Sequence, residues 1–220
     1  MNETLERGIR LLRKALRSRP ADFEGWLKLA SGLTDAKRPG EVVDVFCDLV
    51  SAVPNRPQMH YDLLSALAER GPHRTEMVKA FEDATGKGGA AASAYYGLGV
   101  IRQISSDPES ALQCFEQALQ KDPKLAAVHH NRAVVFLAQG RLPQAIVAGE
   151  AAVRLEPAMA EPHYLLGSIL TNEHWLPEAL THFEAFLEMA TTPDLAPYAR
   201  SASHTISLLN AALLKEMLAR

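Results

Sequence analysis

Residues Pro108–Pro123 read PESALQCFEQALQKDP, and residues Leu142–Pro157 read LPQAIVAGEAAVRLEP. Ala111, Ala118 and Pro123 return as Ala145, Ala152 and Pro157, each 34 residues later. Ala111, Phe115 and Ala118 are separated by four and three residues, a helical period rather than a strand period. Working outward from this pair, the same phase runs along most of the chain. The block Ala92–Leu125 carries Tyr95, Leu98 and Gly99 ahead of Ala111, Phe115 and Ala118. Ala126–Met159 carries His129, Arg132, Ala133 and Phe136, then Ala145, Gly149 and Ala152. Ala160–Pro193 carries His163, Leu166, Gly167 and Leu170, then Ala179, Phe183 and Phe186. Upstream, Phe23–Arg56 carries Trp26, Leu29, Ala30 and Leu33, then Val42, Phe46, Leu49 and Pro54. One inserted residue shifts the block Gln58–Ala91, which holds Tyr61, Leu64, Ser65 and Ala68, then Met77, Phe81 and Ala84.

Each block contains two helical sets separated by a breaker: Arg38–Gly40, Gly71–Pro72, Ser106–Pro108 and Gln139–Pro143. The spacing predicts two helices and a tight turn per block. Asp107 before Pro108 suits an N-cap followed by proline at the first helical position. Small residues such as Gly99, Ala111, Ala118 and Gly167 let helices approach closely, and aromatics such as Phe115 fill the space between them. One such pair cannot bury its apolar face alone, so neighbours must stack and the ends must be capped. Residues 2–18 place Leu5, Ile9, Leu12 and Ala15 on one face, and Leu195–Leu218 places Ile206, Leu209, Leu213 and Met217 in one stripe.

The large–Leu–small–large set followed by Ala, an aromatic, Ala and Pro within 34 residues resembles the tetratricopeptide repeat. The resemblance covers roughly residues 2–193. It implies an all-α, right-handed α-solenoid of antiparallel helix pairs, with twelve helices and no strand. As one domain, 1–220 would comprise an N-terminal capping helix (1–22), five repeats (23–56, 58–91, 92–125, 126–159 and 160–193) and a C-terminal capping helix (194–220). Three departures stand out. Arg132 occupies a usually apolar slot, Gly149 stands where an aromatic is expected, so that a neighbour must fill the hole or leave a cavity, and Arg102 replaces a large residue.

Composition is that of a globular chain: 220 residues, 47% hydrophobic, formal net charge −3. That balance does not favour nucleic acid as a partner. The charge is uneven, because residues 1–19 hold six basic side chains against Glu3 and Glu6, a net +4 that leaves −7 on the rest. Two distant cysteines, Cys47 and Cys114, form neither a disulfide framework nor a metal spacing, and a reducing, cytoplasmic setting is expected. No apolar run reaches the length of a membrane span.

Chemistry-bearing motifs are weak. His129, His130 and His163 lack a carboxylate or thiol that would complete a metal set, and His174 is expected in a turn, which breaks the His174–Glu178–His182 spacing. TGKGG at Thr85–Gly89 lacks the glycine and Ser/Thr of a phosphate loop. No metal, cofactor or catalytic residue is therefore expected, and the chain reads as a non-enzyme. The resemblance points instead to a concave groove lined by the first helix of each pair. The off-stripe residues there are Glu24, Leu27, Ser31 and Thr34, then Met59, Asp62, Ala66 and Glu69. Tyr96, Val100, His130, Asn131, Val134 and Tyr164 continue the set, acidic early and apolar-aromatic later. The basic clamp that some family members use for a C-terminal carboxylate is not matched, since its places hold Tyr96, Val100, Asn131, Glu161 and Leu165. The expected function is a protein-interaction scaffold or adaptor that binds a peptide or helical segment of a partner protein, with self-association through the terminal helices as a further option. A recruiting subunit of a transferase, and a chaperone for a secretion or assembly system, stay open as alternatives. The Gly-rich stretch Gly86–Ser93 is expected to act as a hinge.

Overall fold

The computed structural model describes residues 3–69, 73–86 and 90–218. Among them are twelve α-helices, one 3₁₀ turn at Pro193–Leu195 and no strand. The chain packs as two compact units, 1–128 and 129–220. In the first, α1 (Glu3–Ser18) precedes three antiparallel pairs: α2 (Phe23–Asp35) with α3 (Pro39–Ala52), α4 (Pro57–Ala68) with α5 (His73–Thr85), and α6 (Ala92–Ile104) with α7 (Pro108–Lys121). Helix α8 (Ala126–Ala138) crosses the boundary. The second unit continues with α9 (Leu142–Leu155), α10 (Ala160–Asn172), α11 (Leu176–Met189) and α12 (Ala196–Leu218). Gly71–Pro72 and the centre of the expected hinge, residues 87–89, lie outside the described residues.

Four of the turns inside the pairs share one device. Lys37, Ser106, Gly140 and His174 all adopt positive φ, between 57° and 71°. In each turn the following backbone N–H reaches back five residues: Arg38 to Leu33, Asp107 to Arg102, Arg141 to Phe136 and Trp175 to Leu170. A left-handed residue is what lets the chain close over the helix end in this way. A helix then restarts with proline in its first turn at Pro39, Pro108, Pro143 and Pro177. The Asp107 carboxylate caps α7 by accepting from the Ser110 N–H at 3.2 Å. A hydrogen bond from the Ser110 side chain, together with that backbone bond, holds its pKa below the usual carboxylate value.

Interlocking of glycine and ring builds the core. A Cβ on Gly99 would stand 2.4 Å from the Phe115 ring, and one on Gly97 would stand 2.2 Å from Phe81. The rings of Phe81, Phe46, Tyr96 and Phe115 run in sequence at centroid distances of 5.6–6.1 Å. The first unit's core is thus a ring stack threaded between helices. In the second unit Gly167 accepts Phe183 in the same manner, while Gly149 abuts Leu166, whose Cδ2 would be 2.9 Å from an added Cβ. Leu166 therefore fills the hole left by the absent aromatic.

The departures at arginine also find their partners. Arg102 pairs with Glu82, tying α6 to α5. The Arg141 guanidinium lies 4.5 Å from the Phe136 ring centroid and that of Arg132 5.7 Å away, so two cations flank one ring. At the ends, two expected stripes are displaced. In α1 it is Leu16 rather than Ala15 that is completely buried, against Gly25 of α2. In α12 the packing face runs through Ala199, Ala202, Ile206 and Leu209, while Met217 is exposed. The cause is length: α12 has 23 residues and α11 only 14, a difference of about 14 Å of helix.

Candidate peptide-binding face

Of the off-stripe residues expected on the first helices of the early pairs, Met59 of α4 is buried in the core and three residues of α2 line an open surface. In α2, Glu24, Leu27 and Ser31 line a concavity of about 660 Å³ together with Leu12, Lys28 and Asp35. Ser31 is buried, and its hydroxyl has no protein hydrogen-bond partner. Thr34, the next of the set, is turned inward and donates to the Ala30 carbonyl at 2.9 Å. In α4, Asp62 is half-buried and accepts from Gln58 at 2.7 Å, whereas Glu69 at the helix end is exposed. The face is acidic on its rim and apolar at Leu12 and Leu27.

Tyr96 and Val100 correct the expectation of an open aromatic wall. Both are completely buried. Helix α6 packs on α3, α4, α5 and α7, so more than one stripe of it turns inward. Its residues from Tyr96 to Ile101 are all buried. Tyr96 serves a neighbouring histidine instead. The His60 ring lies with Nε2 3.0 Å from the Val53 carbonyl and Nδ1 3.3 Å from the Tyr96 hydroxyl. Because a carbonyl can only accept, Nε2 carries the proton and Nδ1 accepts from Tyr96. Burial holds His60 neutral and lowers its pKa to about 4.

In the second unit His130 and Asn131 are buried and Val134 is half-buried. The His130 pKa is also lowered to about 4 by burial, and its Nδ1 has no protein partner. Tyr164 is half-buried. Its ring meets Phe183, Phe186 and Tyr198 at 5.8, 5.1 and 5.2 Å, and its hydroxyl lies 3.4 Å from Ser201 Oγ. It therefore joins α10, α11 and α12, and only part of it faces outward. His163 and His182 sit Nδ1 to Nδ1 at 3.1 Å. One of the two must donate to the other, and burial lowers the pKa of both. His174 is in the turn before α11. Among the described residues no three His, Cys, Asp or Glu side chains converge on a metal-sized centre, and no helix is long and apolar enough to cross a membrane. Cys47 and Cys114 are half-buried thiols whose pKa is raised by burial, the opposite of a reactive cysteine.

Sequence reasoning did not find the ring slot's backbone role. Trp26 donates from Nε1 to the Pro20 carbonyl at 2.9 Å, and so closes the turn that precedes its own helix. The paired occurrence of a ring-bearing residue and a proline a few positions earlier was the available signal.

Residues 105–160 match the family model described as tetratricopeptide repeat. No curated protein matches the chain in sequence. Among solved structures, the chain is similar to YrrB, a tetratricopeptide-repeat protein whose structure is described as having an unusual peptide-binding site. The identity there is 16%, with a TM-score of 0.52 over 86% of this chain and 97% of that one. It is similar to MamA at 16% identity and a TM-score of 0.52, over 76% of this chain and 91% of that one. It is also similar to a chain of the Cut9–Hcn1 assembly of the APC/C at 15% identity and a TM-score of 0.56, over 94% of this chain and 40% of that one. The matched repeat at residues 105–160 and the all-α fold of these structures agree: the chain has the fold of a tetratricopeptide-repeat solenoid.

Proposed function

We propose that the chain is a non-catalytic scaffold that holds a peptide or helical segment of a partner protein on the first-helix face. The observation that carries this reading is the concavity along α2, with exposed Glu24 and Asp35 around half-buried Leu27 and the unpartnered Ser31 hydroxyl. A buried hydroxyl without a partner costs stability unless a ligand or solvent satisfies it. The acidic rim continues on α4 with Asp62 and Glu69 and selects a ligand with basic residues flanking an apolar one. In the second unit Val134 and the outward edge of Tyr164 are the corresponding contacts, with His130 and Asn131 supporting them from within. YrrB supplies a precedent for peptide binding on this fold.

The test is titration calorimetry with a lysine-flanked leucine peptide against the wild-type chain and against Leu27→Arg and Glu24→Lys. Each variant should weaken binding by about tenfold or more while helicity is unchanged, as for an apolar anchor or a complementary charge at an interface. Equal affinity in both variants would remove the α2 face as the site.

A further inference from the structure

We propose a second docking site, on α1, for an acidic segment of a partner protein that inserts one bulky apolar side chain beside Arg13 and Arg17. It shares no residue with the α2 concavity. Arg7, Arg10, Lys14 and Arg17 are all exposed and follow one another at intervals of three, four and three, so they form one stripe along the helix. Ile9 and Leu16 hold the opposite side of α1 in the core. Where the stripe ends, a small cavity of about 250 Å³ opens between α1 and α3. Leu16, Trp26 and Ala52 are its apolar lining, and Arg13, Arg17, Asp48 and Ser51 are its polar lining. Arg13 Nε is closed off from solvent and has no protein hydrogen-bond partner.

Size and charge together define the occupant. A dry cavity of about 150 Å³ accepts a benzene ring, so this one takes a single phenylalanine-sized side chain and not a whole helix face. A carboxylate next to that side chain would satisfy the arginine fork with charge-assisted hydrogen bonds, and further acidic residues would run along the stripe toward Arg7. A polyphosphate or lipid headgroup has no side chain for the lining over Trp26 and would meet the Asp48 carboxylate. Asp48 is also what limits the site, because it offsets part of the charge that attracts the ligand.

The lining supplies its own reporter. Changing exposed Trp175 to phenylalanine leaves Trp26 as the sole indole in a chain with two tryptophans. The probe is a glutamate-rich peptide with one central phenylalanine, titrated into the full chain at low salt. Saturable change in Trp26 emission is expected. R13Q/R17Q should weaken binding by at least about tenfold, and A52L, at an exposed position that fills the cavity, should abolish the emission change with an unaltered circular dichroism spectrum. D48N should tighten binding. Equal binding of the same peptide with serine in place of phenylalanine would overturn the proposal, as would insensitivity to A52L. So would a Trp26 response of equal size to polyglutamate or to anionic vesicles, which would reduce the stripe to general polyanion adhesion.

Discussion

In residues 1–128 the ring slot of the second helix holds Phe46, Phe81 and Phe115, while in residues 129–220 its first occurrence holds Gly149 and only the next holds Phe183. The first unit consequently has a chain of rings linking α3, α5, α6 and α7. The second has an aliphatic plug, Leu166 against Gly149, and a ring cluster confined to Tyr164, Phe183, Phe186 and Tyr198. One backbone pattern thus tolerates two ways of filling the same space. A slot can lose its ring if the residue opposite grows, because packing density and not residue identity is what the core conserves.

The strongest way to break this comparison is to empty each unit's filler. Phe115→Ala should cost about 3–5 kcal/mol and Leu166→Ala about 2–5 kcal/mol, seen as lowered urea midpoints. A midpoint that barely moves in the first would contradict the interlock with Gly99. Acid comes next. His60 and His130 are both held neutral in the fold, with pKa values of about 4 against an ordinary value near 6.5. Their unfolded forms bind protons first, so stability is fully present above about pH 6.5 and is lost as pH falls toward 4. Each site should contribute a loss on the order of 3 kcal/mol across that window. His60→Gln should flatten the acid limb of a stability–pH curve. An unchanged slope would mean that burial does not keep the ring neutral.

A finer test exchanges the fillers. Gly149→Phe alone should cost about 1–3 kcal/mol by overpacking onto Leu166. Combined with Leu166→Ala it should cost less than the sum, with a coupling of about 0.5–3 kcal/mol in a double-mutant cycle. Additive losses would show that the two sites do not share one space. The smallest effect sharpens what the units have in common. Ser106→Gly in one and His174→Gly in the other should each gain on the order of 0.5–1 kcal/mol by relieving a left-handed side chain, less the entropy of glycine. Unequal gains would mean that the two turns are not equivalent.

The fold was legible because each helix pair repeats the same spacing, and the breakers fall where a left-handed residue and a proline are required. Asp107 and Pro108 announced α7 by themselves. The groove was harder to read. A single stripe suffices for a surface helix, but α6 is enclosed by four neighbours, and the off-stripe positions Tyr96 and Val100 are as buried as the stripe itself. Where a helix has fewer neighbours, as α2 does beside α1, the off-stripe residues Glu24, Leu27 and Ser31 do line an open surface. The ion pair of Arg102 with Glu82 was invisible because the two positions lie 20 residues apart on different helices. The arginine–Trp26 cavity lay in no motif, since its lining comes from three helices.

The recurring turn has a practical meaning for measurement. Lys37, Ser106, Gly140 and His174 are all exposed and share one backbone shape, so no core packing depends on the side chains of the three that are not glycine. Lys37, Ser106 and His174 form a set of attachment stations for spin labels or fluorophores, two in the first unit and one in the second. The native thiols Cys47 and Cys114 are half-buried and resist ionisation. Cysteines introduced at these stations would therefore label ahead of them. Distances between labelled stations would act as a ruler for ligand-driven motion without disturbing a single core contact.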